Sequence, residues 1–165
     1  MTTNELMADG FDRLKPVVHT ALKDAAADEL AYRPYDKGNS ISWLVWHLSR
    51  VQDDHIAELA DREQVWLSGG WHDEFGLPFE KQATGYGQDS DQVSQVQVDG
   101  ELLKGYFDAV QQATSDFLTG LKPEDYDRII DESWDPPVTL GVRLVSVLVD
   151  DWQHAGQAAY VRGLL

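Results

Sequence analysis

The chain contains no cysteine, so it has no disulfide, no thiolate metal ligand and no thiol nucleophile of its own. Any soft nucleophile in its chemistry has to come from outside. Basic residues are also scarce. Thirteen Lys and Arg against 29 Asp and Glu leave a net charge of −16, a field that repels phosphate backbones and anionic headgroups. This excludes nucleic acid and membrane surfaces as expected partners. The acidic residues are spread along the chain rather than gathered in a tail, so they also read as a solubilising surface. No apolar run is long enough to span a bilayer, and no basic start with an apolar block and cleavage site opens the chain; the expectation is a cytoplasmic protein. What is present, 165 residues with 42% hydrophobic and 25% charged side chains, suits one domain over 1–165 with a single core.

Met7, Phe11, Leu14, Val18, Ala21, Leu22 and Ala25 keep the three-and-four spacing of an amphipathic helix, which predicts one over residues 4–30 with either a kink at Pro16 or a true start near it. Pro34 and Gly38 mark a short connector. Asn39 or Ser40 then caps a second helix over 40–60, with Ile41, Leu44, Leu48, Val51 and Leu59 as its core stripe. About forty residues separate it from the next clear helix, a length that calls for a crossover or a lid. The Gly69–Phe79 and Thr84–Gly87 stretches of that segment are aromatic and glycine-rich, and Ser90–Val98 reads as irregular or partly helical. Asp99 caps a third helix that ends at Gly120 and Pro123. Residues 126–138 are β-capable and proline-bearing, an extended connector or small hairpin. The fourth helix starts near Thr139 or Leu140, with Val142, Val145, Val149 and Trp152 read as its core face. The expected fold is all-α, a four-helix bundle with a long crossover between its second and third helices.

On the last helix Asp150 and His154 stand four residues apart and, at about 100° per residue, project from the same face. His47 lies on the border of the second helix's core stripe and faces inward. Bundles build metal sites from side chains on facing helices. Two imidazoles and a carboxylate suit Zn²⁺ first and Ni²⁺ or Fe²⁺ as alternatives, and three protein ligands leave positions open for water or substrate. Gln157 is spaced to orient one of the ligands. The plain alternative is a solvated Asp–His helix pair, worth about 0.2–0.5 kcal/mol, beside a core-edge His47 bonded to a carbonyl. His55 falls on the core stripe and reads as structural. His72, next to Trp71, is the long loop's candidate for a mobile active-site group, and His19 is expected to be exposed. Exposed Trp66 and Trp71 would be compatible with a homodimer; otherwise they belong to the packing of the loop.

Set side by side, Ser42-Trp-Leu-Val-Trp-His-Leu48, Val149-Asp-Asp-Trp-Gln-His-Ala-Gly-Gln157 and Ala158-Ala-Tyr-Val-Arg-Gly163 resemble the two metal-bearing helices of the DinB-like superfamily. The likeness is greatest to its DUF664 and mycothiol-dependent maleylpyruvate isomerase-like branch. Phe75–Phe79 and Thr84–Gly87 extend it over nearly the whole chain. The family pattern sets one His on the second bundle helix, and a Glu or His four residues before a His on a later one. The matching positions here hold His47, Asp150 and His154, where Asp150 is one methylene shorter than Glu. The resemblance implies a divalent metal on these three residues. It also implies transfer or isomerisation assisted by a low-molecular-weight thiol such as mycothiol, held as thiolate on the ion and acting on an electrophilic small molecule. That chemistry agrees with the absence of cysteine.

A metal and a fold do not fix a reaction. A metal-dependent hydrolase activating water on the same triad, and a metal-free, stress-related binding protein, are the competing readings. A non-haem Fe²⁺ oxygenase ranks last, because two His and one carboxylate do not establish that chemistry.

Overall fold

Local sequence chemistry decides where each helix starts and stops. In the computed structural model, which describes residues 1–165, the segment predicted as one N-terminal helix is three: α1 (Thr3–Asp12), α2 (Leu14–Leu22) and α3 (Ala27–Ala31). Its first break comes at Arg13, ahead of Pro16. A proline ring crowds the carbonyl four residues back and leaves it without a donor, and that carbonyl belongs to Asp12. Ser40 caps α4 (Ile41–Leu59) by accepting from the Trp43 amide. The crossover holds three short helices, α5 (Val65–Ser68), α6 (Trp71–Phe75) and α7 (Ser90–Ser94), so the 90–98 stretch is partly helical. Asp99 accepts from the Glu101 and Leu102 amides to open α8 (Gly100–Gly120). A small antiparallel hairpin, β1 (Ile129–Asp131) with β2 (Val138–Thr139), then delivers the chain to Thr139, the cap of α9 (Leu140–Arg162).

The fold is all-α. α4 packs between α8 and α9, and the α1–α2 rod closes a four-helix bundle by lying against the same two helices from the other side. The consecutive helices α8 and α9 barely touch and occupy a diagonal. No helix is long and apolar enough to cross a membrane. Every residue from Ile41 to Arg50 is buried, because the bundle covers one side of α4 and the crossover covers the other. Trp66, Phe75, Val93, Val96 and Val98 bring the crossover into the same core as Leu14, Leu44, Phe107 and Leu144. Trp66 is therefore core, and half-buried Trp71 packs on Tyr106, so neither forms an exposed surface.

The structure corrects the register of the last helix. Val142, Val145, Val149 and Trp152, expected in the core, are 57%, 51%, 50% and 37% exposed. The inward arc is Leu140, Leu144, Val147, Ala155, Ala158 and Val161, together with the fully buried Asp151. The second-helix stripe is right at Ile41, Leu44 and Leu48, whereas Val51 and Leu59 are only half-buried.

Candidate metal centre

Because α4 and α9 form an extensive pairing in the bundle, the three residues singled out on them meet. One donor atom each from His47, Asp150 and His154 lies within 4.8 Å of the others. The imidazoles approach edge to face with ring centroids 4.7 Å apart, and His154 Nε2 is 3.6 Å from Asp150 Oδ1. The shorter side chain of Asp150 thus reaches the cluster. The outer nitrogens of both rings are already committed. His47 Nδ1–H donates to the Thr84 carbonyl at 2.6 Å, and His154 Nδ1–H donates to Gln157 Oε1 at 3.2 Å. Both acceptors offer only lone pairs, so each Nδ1 carries a proton and Nε2 is left to coordinate. Asp150 Oδ2 is buried with no hydrogen-bond partner. An unpaired buried carboxylate oxygen costs free energy unless a cation or donor meets it. The donor set and this orphaned atom fit a divalent ion.

The electrostatics follow from the same contacts. Burial pushes the His47 pKa below the ordinary histidine value, with the nearby His154 acting in the same direction. Burial also presses on His154, but the Asp150 carboxylate beside it outweighs that effect and raises the pKa. The neighbouring His154 ring lowers the pKa of Asp150 against the effect of burial. Without metal, these shifts favour a protonated His154 and an ionised Asp150 beside a neutral His47.

A cavity of about 410 Å³ adjoins the cluster, lined by His47, Val147 and Asp150 and also by Asp54, His55 and Tyr86. His55, read as a core residue, is instead half-buried on this cavity, and its Nδ1 accepts from Arg143 at 3.1 Å. His72 stays away from it, paired with Asp73 and edge-on to Trp66. The structure does not bring His72 to the centre. His19, expected to be exposed, is half-buried and 2.7 Å from Asp108.

The Thr84–Gly87 loop closes one side of the centre. Gly85 sits at φ 96°, and a Cβ there would come within 2.7 Å of His47 Nδ1 and 3.0 Å of Trp46. Only glycine lets the backbone approach closely enough for the Thr84 carbonyl to hold the ring. Trp43 stacks on His47 with centroids 4.5 Å apart and an interplanar angle of 19°. Neither Trp43 nor the Thr84 carbonyl was singled out in the sequence; the glycine-rich Thr84–Gly87 segment was the one signal available.

Residues 11–158 match a family model described as the DinB superfamily. A crystal structure described as that of a conserved protein from Enterococcus faecalis superposes with a TM-score of 0.92 at 31% sequence identity, covering 98% of this chain and 96% of that one. No curated protein matches the chain.

Proposed function

Since the chain belongs to the DinB superfamily, we propose that it is a divalent-metal-dependent enzyme of the mycothiol-dependent maleylpyruvate isomerase-like kind. It would use an external low-molecular-weight thiol to transfer to, or isomerise, an electrophilic small molecule, with His47, Asp150 and His154 as the metal ligands. The observation that carries this reading is the partnerless Oδ2 of Asp150, beside two imidazoles whose outer nitrogens are both occupied. The absence of cysteine and a cavity large enough for a small molecule support the thiol.

A bound divalent ion would supply a Lewis acid that favours the deprotonated form of a coordinated thiol near neutral pH. The chain's own part is to hold and orient. The Thr84 carbonyl and Gln157 set the ring tautomers, and Trp43 fixes the plane of His47. The lowered pKa of His47 favours the neutral ring that coordinates, whereas the raised pKa of His154 means that an ion competes there with a proton.

Elemental mass spectrometry on protein purified without chelator or nickel resin tests the metal. About one ion per chain is expected in the wild type, with background in His154→Ala. A wild type without stoichiometric metal, grown with metal supplied, overturns the proposal. Thermal unfolding of the metal-loaded protein with mycothiol tests the thiol. Stabilisation by the thiol but not by its hydroxyl analogue supports it, whereas indifference to thiols with metal bound favours water activation and a hydrolase.

A further inference from the structure

Three imidazoles belong to the metal centre and its cavity, and one of them is set the opposite way to the other two. His47 and His154 donate from Nδ1, to the Thr84 carbonyl and to Gln157, which leaves their Nε2 lone pairs for an ion. His55 lines the same cavity, but its Nδ1 accepts from Arg143 at 3.1 Å. An arginine can only donate, so Nδ1 keeps its lone pair and the ring proton of His55 sits on Nε2. A nitrogen that carries a proton does not bind a cation. It is a donor for an oxygen, and no group of the protein accepts from it.

The fold builds this arrangement from the same two helices that make the centre. His55 follows His47 by eight residues on α4, and Arg143 precedes Asp150 by seven on α9, so the pairing that joins His47 to Asp150 joins His55 to Arg143 two turns further along. Arg143 is held in turn by Asp131 Oδ2 at 3.5 Å, and Asp131 Oδ1 accepts from the Ser133 amide and hydroxyl at 2.9 and 2.6 Å. Strand β1 thus steadies the guanidinium, and the guanidinium sets the tautomer. Fastening the hairpin to α4 would use Nδ1 alone and gives no reason for an unanswered N–H on the wall of a cavity.

We propose that His55 is a substrate-contacting residue of this centre, whose Nε2–H donates to the carbonyl oxygen of an electrophile conjugated to that carbonyl, with Arg143 as its positioning residue; the proposal rests on the thiol-dependent reading above. A thiolate that adds to such a carbon–carbon double bond forms a carbon–sulfur bond, and the displaced π pair leaves the negative charge on the carbonyl oxygen. A fixed N–H donor at that oxygen stabilises the charge as it develops. The charge is then discharged in one of two ways. A proton taken up at the neighbouring carbon completes addition, and expulsion of the thiolate after rotation about the new single bond completes isomerisation. Neither needs an oxidant or a reductant, and His55 keeps its proton throughout. An alkyl halide or other electrophile without a carbonyl gains nothing from this donor.

Long-range nitrogen–proton NMR of the metal-free protein is expected to find the His55 proton on Nε2, with the Nδ1-protonated form appearing in Arg143→Met. A wild-type His55 protonated on Nδ1 alone overturns the proposal. Calorimetric titration of the Zn²⁺-loaded protein reads the hydrogen bond without turnover: 4-mercaptobutan-2-one is expected to bind about tenfold more tightly than butanethiol, which lacks the carbonyl. His55→Leu should bring the two thiols to equal affinity. His55→Gln, whose amide still donates, should keep part of the preference, and Arg143→Met should reduce it. Equal affinities in the wild type, or a preference that survives His55→Leu, overturn this proposal and leave the metal–thiol reading in place. Binding of neither thiol overturns that reading, and this proposal with it.

Discussion

Two polar clusters start three residues apart on α4 and end in opposite states. At Arg50 and Asp53 every group is answered inside the protein. Asp53 accepts from the Val65 and Trp66 amides at 2.9 and 2.7 Å and from the Tyr106 hydroxyl at 2.9 Å. Arg50 donates to the carbonyls of Ala83 and Lys81 and to Tyr106, with its guanidinium over the Trp66 ring. At His47, Asp150 and His154 the outer partners are present, but one carboxylate oxygen is not answered and a cavity adjoins. A closed set of hydrogen bonds fixes structure, in this case the crossover against α4. An open one has capacity left for something that binds. Asp151 gives the contrast a third case. Both of its oxygens are buried without a partner, and burial raises its pKa well above the ordinary carboxylate value, which favours the neutral acid.

The largest effect is expected from opening the closed cluster. Asp53→Ala strands a buried guanidinium and two amides and is expected to cost about 3–5 kcal/mol in urea unfolding; a loss below 1 kcal/mol would remove the distinction. Next in size, Asp150→Asn keeps the shape of the open cluster and removes its charge. Metal affinity by competitive chelation should fall on the order of a hundredfold, with little change in unfolding free energy of the metal-free protein. Asp151→Leu should stabilise by about 1–3 kcal/mol at neutral pH, since an unpaired buried carboxyl is exchanged for an apolar side chain. Because the folded-state pKa of Asp151 is raised, its unfavourable contribution grows as pH rises above the unfolded carboxylate range. The gain should therefore shrink in acid, and a gain independent of pH would contradict the assignment.

Proton linkage sharpens the open cluster. The raised pKa of His154 means that its pairing with Asp150 stabilises the metal-free fold at lower pH and is lost as pH rises through that value. The lowered pKa of Asp150 means that its contribution is lost as pH falls through its own. Metal affinity should run the other way, gaining about tenfold per pH unit up to the His154 titration and levelling above it, as calorimetry across a pH series can show. The smallest effect is expected from Gln157→Ala, about a tenfold loss of metal affinity, because only the orientation of His154 is relaxed.

The second, third and fourth long helices, their caps at Ser40, Asp99 and Thr139 and the hairpin before the last helix were legible because each rests on local chemistry, whereas the expected first helix is divided into three. The meeting of His47 with Asp150 and His154 was legible as well, since helical spacing and facing helices suffice to place it. The core face of α9 was not. That helix carries two apolar arcs, and the bulkier, valine-rich one is turned outward, while the buried arc contains Asp151 and two alanines that a hydropathy pattern discounts. Arg50 and Asp53 were passed over because charged side chains on a core helix read as solvated unless the segment covering them is known. α5 and α6, at four and five residues, are too short to show periodicity.

The position of Trp43 also gives the molecule an optical handle. Its indole lies face to face with His47, edge-on to His154, and donates from Nε1 to Gln88 Oε1 at 2.8 Å. An imidazole held against an excited indole is placed to quench it, and the extent depends on whether the ring is neutral, protonated or bound to an ion. The difference in emission between the wild type and Trp43→Phe should therefore report, without any added dye, the occupancy of the centre and the seating of the crossover above it.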